Sequence, residues 1–297
     1  MTFTERHRFP VDKDLSRLVK ILHQAGVEHY ITERDGMQVL FVPESISDEQ
    51  LLICLQAWKQ GYRVQALVDE ASAPLQGQGN LFSDWWRFPL TIILLLASVA
   101  GFLSVQTDFF FPLLHWLTYQ DFVIVNQELV HLPPDYIRQP WRVLTPVFIH
   151  MSLMHIVFNG LWTVWLGKRI EVSQGSSRLF LIVLMTGSLS NFAQFWYMQE
   201  QAQVGLFGGM SGVIYGFIGY CWIYVYYRPL PALLLPKGLI GFMLLWLVLC
   251  MSGLVTLLGF GQIANMAHFA GLLSGVLLAV IFSRIDMKVE KRGGYEP

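Results

Sequence analysis

Charge is scarce in this chain: 14% of its 297 residues are charged, where soluble domains carry about 25%. With 54% of the residues hydrophobic, too little polar surface is left to cover a water-soluble body, so much of the chain must be buried in something other than its own core. Neither sign of charge dominates. Twenty Lys and Arg against 21 Asp and Glu leave a net charge of -1, and nucleic acid is given no electrostatic footprint. Cysteine is sparse as well: Cys54, Cys221 and Cys250 lie far apart and form no Cys-x-x-Cys spacing, so neither a disulfide nor a metal site is assigned. The opening "MTFTERHRFPVDKD" lacks the short apolar core and small-residue cleavage site of a signal peptide. The first apolar run is therefore expected to act as its own insertion signal.

What is present is a set of six apolar runs of roughly 17 to 24 residues, long enough to cross hydrocarbon as helices. They cover Phe88–Val105, Ser152–Gly167 with an apolar lead-in from Leu144, Leu179–Tyr197, Gly208–Tyr227, Leu239–Leu258 and Ala264–Ile281. A backbone in lipid must satisfy its own hydrogen bonds, so these runs are read as helices. The expected fold class is an all-α membrane protein, a six-transmembrane-helix bundle preceded by a small α+β cytosolic domain. The boundaries are a cytosolic domain over 1–70, a linker over 71–87, the membrane domain over 88–283 and a cytosolic tail over 284–297. Arg87, Lys168, Arg169, Arg178, Arg228, Lys237 and the basic tail fall on one set of connections, whereas the opposite set holds only Arg138 and Arg142. The distribution of basic residues thus predicts both termini in the cytoplasm.

In the N-terminal part, "DKDLSRLVKILHQAG" has helical spacing closed by Gly26, and two short strand-like runs flank Asp35-Gly36, a hairpin signal. Ser47 and Gln50 open a further helix as a capping box. The pattern reads as an α-β-β-α unit without a catalytic constellation. Residues 71–84, rich in Gly, Gln, Pro and Asn, read as a flexible tether. Between the first two helices, the aromatic-rich segment around "DFFFPLLHWLTYQDF" is too broken to span and fits a loop partly embedded in the membrane interface.

Polar groups inside membrane helices are costly and normally have a job or a partner. His155 and Asn159 fall in the first two turns of the second helix, Ser211 in the first turn of the fourth, and His268 about one turn into the sixth. With the termini inside, all three helices enter from the outer face. At about 1.5 Å per residue these groups lie within roughly 5 to 12 Å of the outer helix ends. Gly208, Gly212 and Gly216 recur every four positions, as do Ala267, Gly271 and Gly275, a small-xxx-small pattern that lets membrane helices approach closely. If those two faces meet, Ser211 and His268 fall within reach of one another.

A hydroxyl beside an imidazole is the minimum for an activated serine nucleophile. No Asp or Glu lies at that depth nearby, so a Ser-His dyad is expected instead of a triad. Tyr215, one turn deeper on the face of Ser211, is positioned to pack on His268. Backbone N–H groups of Gly209 and Met210 at the helix start, with the Asn159 amide and a ring nitrogen of His150 or His155, would make an oxyanion hole. Taken singly, Ser211 also reads as a packing serine and Asn159 as an interhelical hydrogen-bonding residue. A metal site of His150, His155 and His268 fits poorly, because a spacing of five turns the first two histidines about 140° apart. A proton relay or transporter needs ionisable groups on both sides of the midplane. On the inner side only Glu171 stands out, and it is expected to pair with nearby basic residues.

The stretches "WR" at Trp141-Arg142, "HMSLMHIVFN" at His150–Asn159, "GGMSG" at Gly208–Gly212 with Tyr215, and "AHFAGLLSG" at Ala267–Gly275 resemble the rhomboid intramembrane serine proteases, in particular bacterial members with a cytosolic domain ahead of six helices. The resemblance implies Ser211 as nucleophile, His268 as general base, and His150 and Asn159 as oxyanion partners, with His155 matching the family's second histidine of that helix. It also implies transmembrane protein substrates within membrane lipids, no cofactor, and a bacterial inner-membrane location. The alternative from a different class is an inactive membrane protein that binds client helices in the same pocket.

Overall fold

A computed structural model describes residues 2–60, 85–228, 230–257 and 263–293. The expected tether over 71–84, the end of the fifth apolar run at Leu258 and the last tail residues, 294–297, lie outside them. The chain divides into two compact units, one of residues 1–80 with 225–232, the other of 81–224 with 233–297.

The N-terminal unit contains an additional element ahead of the expected pattern. Strand β1, Phe3–Pro10, precedes helix α1, Ser16–Gln24, strands β2, Tyr30–Arg34, and β3, Met37–Pro43, and helix α2, Asp48–Gln60. The order in the antiparallel sheet is β1-β3-β2. The charged opening is therefore a strand. Its register with β3, Phe3 opposite Pro43 through Pro10 opposite Met37, pairs segments separated by a helix and another strand, which local patterning does not report. Asp35 and Gly36, with φ of 53° and 70°, make the left-handed pair that a two-residue hairpin requires. The capping box is formed: the Gln50 N–H donates to Ser47 Oγ and the Ser47 N–H to Gln50 Oε1, both at 3.2 Å. One face of the sheet and both helices close on Phe9, Leu18, Ile21, Leu22, Leu40, Val42 and Leu51.

In the second unit, helix α3, Pro89–Gln106, begins with Pro89 at its first turn, where a missing N–H costs nothing. It leads to α4, Phe111–Leu117, and a hairpin of β4, Phe122–Val125, and β5, Glu128–His131. The second apolar run is not one α-helix: α5, Leu153–Trp162, passes through a π turn, Thr163–Gly167, into α6, Lys168–Gln174, and its lead-in is two short 3-10 turns. Gly175, at φ 87°, ends it, and α7, Ser176–Glu200, follows, then α8, Ser211–Tyr227, α9, Lys237–Met251, α10, Leu254–Leu257, and α11, Asn265–Gly293. Helix α11 runs well past Ile281, the expected end of the sixth apolar run, because "RIDMKVEKR" is itself rich in helix formers. Three of these helices are long and apolar enough to cross a membrane, Pro89–Gln106, Ser176–Glu200 and Asn265–Met287.

Glu171 corrects one expectation. Its carboxylate accepts from the N–H groups of Leu90 and Thr91, both at 2.8 Å, and from the hydroxyls of Thr91 and Ser176, both at 2.7 Å. No basic partner of it occurs among the described residues. The start of α3 presents unpaired N–H groups and a positive dipole end, which a buried carboxylate satisfies better than a mobile cation would satisfy the carboxylate.

Between α3 and α5 the loop is aromatic and exposed, with Phe109 at 84%, Ile124 at 65% and Ile137 at 95% of full exposure, as suits a segment facing something other than water. Buried Arg142 holds it together. The guanidinium donates to the carbonyls of His115 at 2.6 Å and Thr118 at 2.9 Å and to Gln139 Oε1 at 2.5 Å, and lies 3.4 Å from the Asp121 carboxylate.

Candidate active site

The site is built at the contact of α8 and α11. A Cβ on Gly271 would overlap the Gly212 carbonyl oxygen, and one on Gly275 would overlap that of Gly216. The two small-residue faces therefore meet, with backbone touching backbone, as the spacing in the sequence predicts. Ser190 and Thr186 of α7 close the same seam, since a Cβ on Gly212 or Gly216 would strike them.

Ser211 is the first residue of α8 and is half-buried, whereas His268 sits one turn into α11 at 7% exposure. His268 Nε2 and Ser211 Oγ are hydrogen-bonded at 2.7 Å. The Tyr215 ring lies stacked on the imidazole, with centroids 4.9 Å apart and planes 27° apart. His268 Nδ1 is buried and has no hydrogen-bond partner among the described residues, so no described carboxylate completes a triad.

Ahead of Ser211 the chain must turn tightly against α5. Gly209 has φ 117°, and a Cβ there would strike His155 Nε2 and approach Asn159 Nδ2 at 3.5 Å. Only glycine combines that dihedral with that proximity. The Gly209 N–H donates to the Pro146 carbonyl at 3.0 Å, so it anchors the turn. His150 contacts the Phe148 carbonyl through Nδ1 at 2.9 Å, and its Nε2 accepts from the Met210 N–H at 3.4 Å. A carbonyl only accepts and an amide N–H only donates, which fixes the ring as neutral with its proton on Nδ1. His155 packs edge-on against His150, centroids 4.9 Å apart.

Of the expected oxyanion donors, Asn159 is left with a buried donor unmet. The residue is 6% exposed and its Nδ2 is buried with no partner among the described residues. An unmet amide donor costs about 1–3 kcal/mol, and such a cost is typically retained where an acceptor arrives from outside the protein.

A buried polar stripe on α7, Thr186, Ser190, Asn191 and Gln194, joins the site beyond the residues expected from the sequence. The Asn191 amide donates to the carbonyls of Val143 and Leu144 at 2.9 and 3.1 Å, while Gln194 Oε1 accepts from the Ala267 N–H at 3.4 Å, next to His268. The signal was available, because polar residues spaced four apart within a membrane-length run share one helix face.

The Rhomboid domain family model matches residues 137–285, and the Rhomboid N-terminal domain model matches residues 1–68. The chain is 37% identical over 192 residues to a curated relative named Rhomboid protease GlpG from Serratia proteamaculans, covering 64% of this chain and 62% of the relative. It is 35% identical over 191 residues to the protein of that name from Pectobacterium atrosepticum, with coverages of 64% and 62%. With that from Photorhabdus laumondii it shares 31% identity over 229 residues, 75% of this chain and 73% of the relative. The matched part thus spans less than two thirds of the length of the first two relatives.

Proposed function

The chain belongs to the rhomboid family, and from that premise we propose that it is an intramembrane serine endopeptidase acting on transmembrane segments of other membrane proteins. The observation that carries this reading is the 2.7 Å hydrogen bond between Ser211 Oγ and His268 Nε2 at a crossing of apolar helices. The neutral imidazole takes the hydroxyl proton as Oγ attacks a peptide carbonyl. The protonated ring then gives that proton to the departing amine, leaving an acyl ester on Ser211. Water, deprotonated by the same ring, adds to the ester carbonyl, and the serine leaves with the proton returned to it. Tyr215 holds the imidazole plane in place of a third polar residue.

The oxyanion is met first by Asn159 Nδ2, the donor with no other bond to break. The Met210 N–H, held to His150 only by a long bond of 3.4 Å, turns to the same oxygen. His150 Nε2 is the resting acceptor of that N–H and, with its proton on Nδ1, is no oxyanion donor itself, and Gly209 acts by leaving room for substrate backbone.

In this reading the six apolar helices cross a bacterial inner membrane, both termini are cytoplasmic, and the dyad lies near the periplasmic face. A substrate helix hides its carbonyls in its own hydrogen bonds and must unwind locally before attack. The test is covalent labelling by a fluorophosphonate together with cleavage of a model transmembrane substrate. Labelling at Ser211 with cleavage that Ser211→Ala abolishes is expected, whereas folded protein that does neither is a client-binding protein.

A further inference from the structure

The starts of α3 and α6 carry side chains that the Ser211–His268 chemistry does not use. The 3-10 turn Trp85–Arg87 leads into α3, and both of its indoles stand out from the protein, Trp85 at 54% and Trp86 at 61% exposure. Arg87 is exposed beside them. Phe88, the next residue, is fully buried and fixes the turn to the bundle.

Lys168 arrives at the same level from α6. A Cβ on Gly167 would lie 3.1 Å from the Thr91 hydroxyl oxygen, so the two helix starts are in contact. The Lys168 ammonium lies over the Phe88 ring, 4.7 Å from its centroid, and the Arg169 guanidinium lies over the Trp165 ring at 4.4 Å. An aromatic ring attracts a cation through its quadrupole without cancelling the charge. Glu171 offsets part of this charge, but it is buried and its carboxylate is taken up by two N–H groups and two hydroxyls. The accessible side of the junction is therefore cationic and flanked by two exposed indoles.

Helix α3 is one of those long and apolar enough to cross a membrane, and in that placement the turn before it stands where hydrocarbon meets water. Tryptophan settles at that depth, and basic pockets between membrane helices bind anionic lipid headgroups. A phosphodiester can offer its oxygens to Arg87 and Lys168 while the indoles lie along the glycerol and the upper acyl chains. A zwitterionic headgroup brings its own cation, which the same two side chains repel.

We propose that Trp85, Trp86, Arg87 and Lys168 form a binding site for an anionic phospholipid, which clamps the starts of α3 and α6 together. The site lies apart from the Ser211–His268 pair and does not depend on the hydrolase reading.

Full-length protein in detergent micelles is incubated with equal concentrations of dioleoyl phosphatidylglycerol and dioleoyl phosphatidylcholine, and the retained lipid is read by native mass spectrometry. Phosphatidylglycerol is expected to be retained in preference and to raise the unfolding midpoint, as a ligand of the folded state does. Arg87→Gln and Lys168→Gln are each expected to cut that preference about fivefold, the worth of one basic residue at an anionic membrane surface. Arg138→Gln removes the same charge from the loop that follows α3, where its side chain is 86% exposed, and is expected to leave the preference unchanged. Equal retention of the two lipids overturns the site. So does an equal loss from Arg138→Gln, which would show that net charge alone selects the lipid. A midpoint raised as much in the Arg87→Gln/Lys168→Gln double variant as in wild type overturns the clamp. Inorganic phosphate in place of the lipid is expected to leave the midpoint where it is, and an equal rise would make this a site for free phosphate instead.

Discussion

Gly271 of α11 lies against the carbonyl oxygen of Gly212 so closely that no Cβ fits between them. Gly212 directly follows Ser211, and Gly271 is three residues after His268. The separation of the two helices at this crossing is what brings a hydroxyl and an imidazole into hydrogen-bond range. Lipid offers no hydrophobic force to drive helix against helix, so close backbone packing must do so.

Gly271→Ala is accordingly expected to act on both stability and chemistry. Overpacking a tight contact costs about 1–3 kcal/mol, and any outward shift of α11 lengthens the Ser211–His268 bond. An unfolding titration should show the lost stability, and fluorophosphonate labelling the lost reactivity. A variant that is destabilised yet labels at the wild-type rate would show that the crossing does not set the dyad.

Ser211→Ala and His268→Ala are expected to remove essentially all cleavage of a transmembrane substrate while leaving the fold intact. Residual cleavage by either purified variant above background would exclude the dyad.

Asn159→Ala separates catalysis from stability. Loss of one oxyanion donor costs on the order of 10² to 10³ in kcat. The substitution also removes a buried amide donor that has no partner among the described residues, so the unfolding midpoint should stay level or rise. Activity within a factor of three of wild type would leave Asn159 a packing residue.

Glu171→Ala should do the reverse. It strips the acceptor from the Leu90 and Thr91 N–H groups, at a cost of about 1–3 kcal/mol for buried donors left unmet. Residue 171 lies about 24 Å along the helix from His155 at 1.5 Å per residue. Labelling of Ser211 per folded molecule is expected to be unchanged while the unfolding midpoint drops.

The loop between α3 and α5 carries an acid-sensitive bond. Burial works against ionisation of Asp121, but the hydrogen bonds from His115 and the Phe122 N–H and the charge of Arg142 outweigh it and hold the carboxyl below its ordinary value of 3.8. A depressed carboxyl binds fewer protons folded than unfolded. Its contribution is therefore present above pH 3.8 and is lost as pH falls through the lower, folded value. Asp121→Asn should lower stability at neutral pH and flatten the decline on acidification. Parallel curves for the two proteins would show that the carboxylate contributes nothing.

The extent to which the site was legible in the sequence follows from how local each signal is. Turn chemistry at Asp35-Gly36 and the Ser47/Gln50 cap depend on neighbours within four residues, and the structure forms both. The repeat of small residues in two separate runs told which faces can approach, because only glycine and alanine permit such contact. The strand Phe3–Pro10 was not legible, since its pairing partner lies beyond a helix and another strand. Nor was the cap by Glu171, which meets the start of α3 some eighty residues before it.

The chain by itself determined which residue types could do chemistry and at what depth in their helices they stand, because apolar run length and helical period are local quantities. Tertiary structure alone decided which donors remain unmet. Whether the N–H of Gly209 is engaged by Pro146, that of Met210 by His150, and the amide of Asn159 by nothing depends on how distant segments settle against each other within tenths of an ångström. Hydrogen bonding is short-ranged and directional, so no spacing along a sequence can report it.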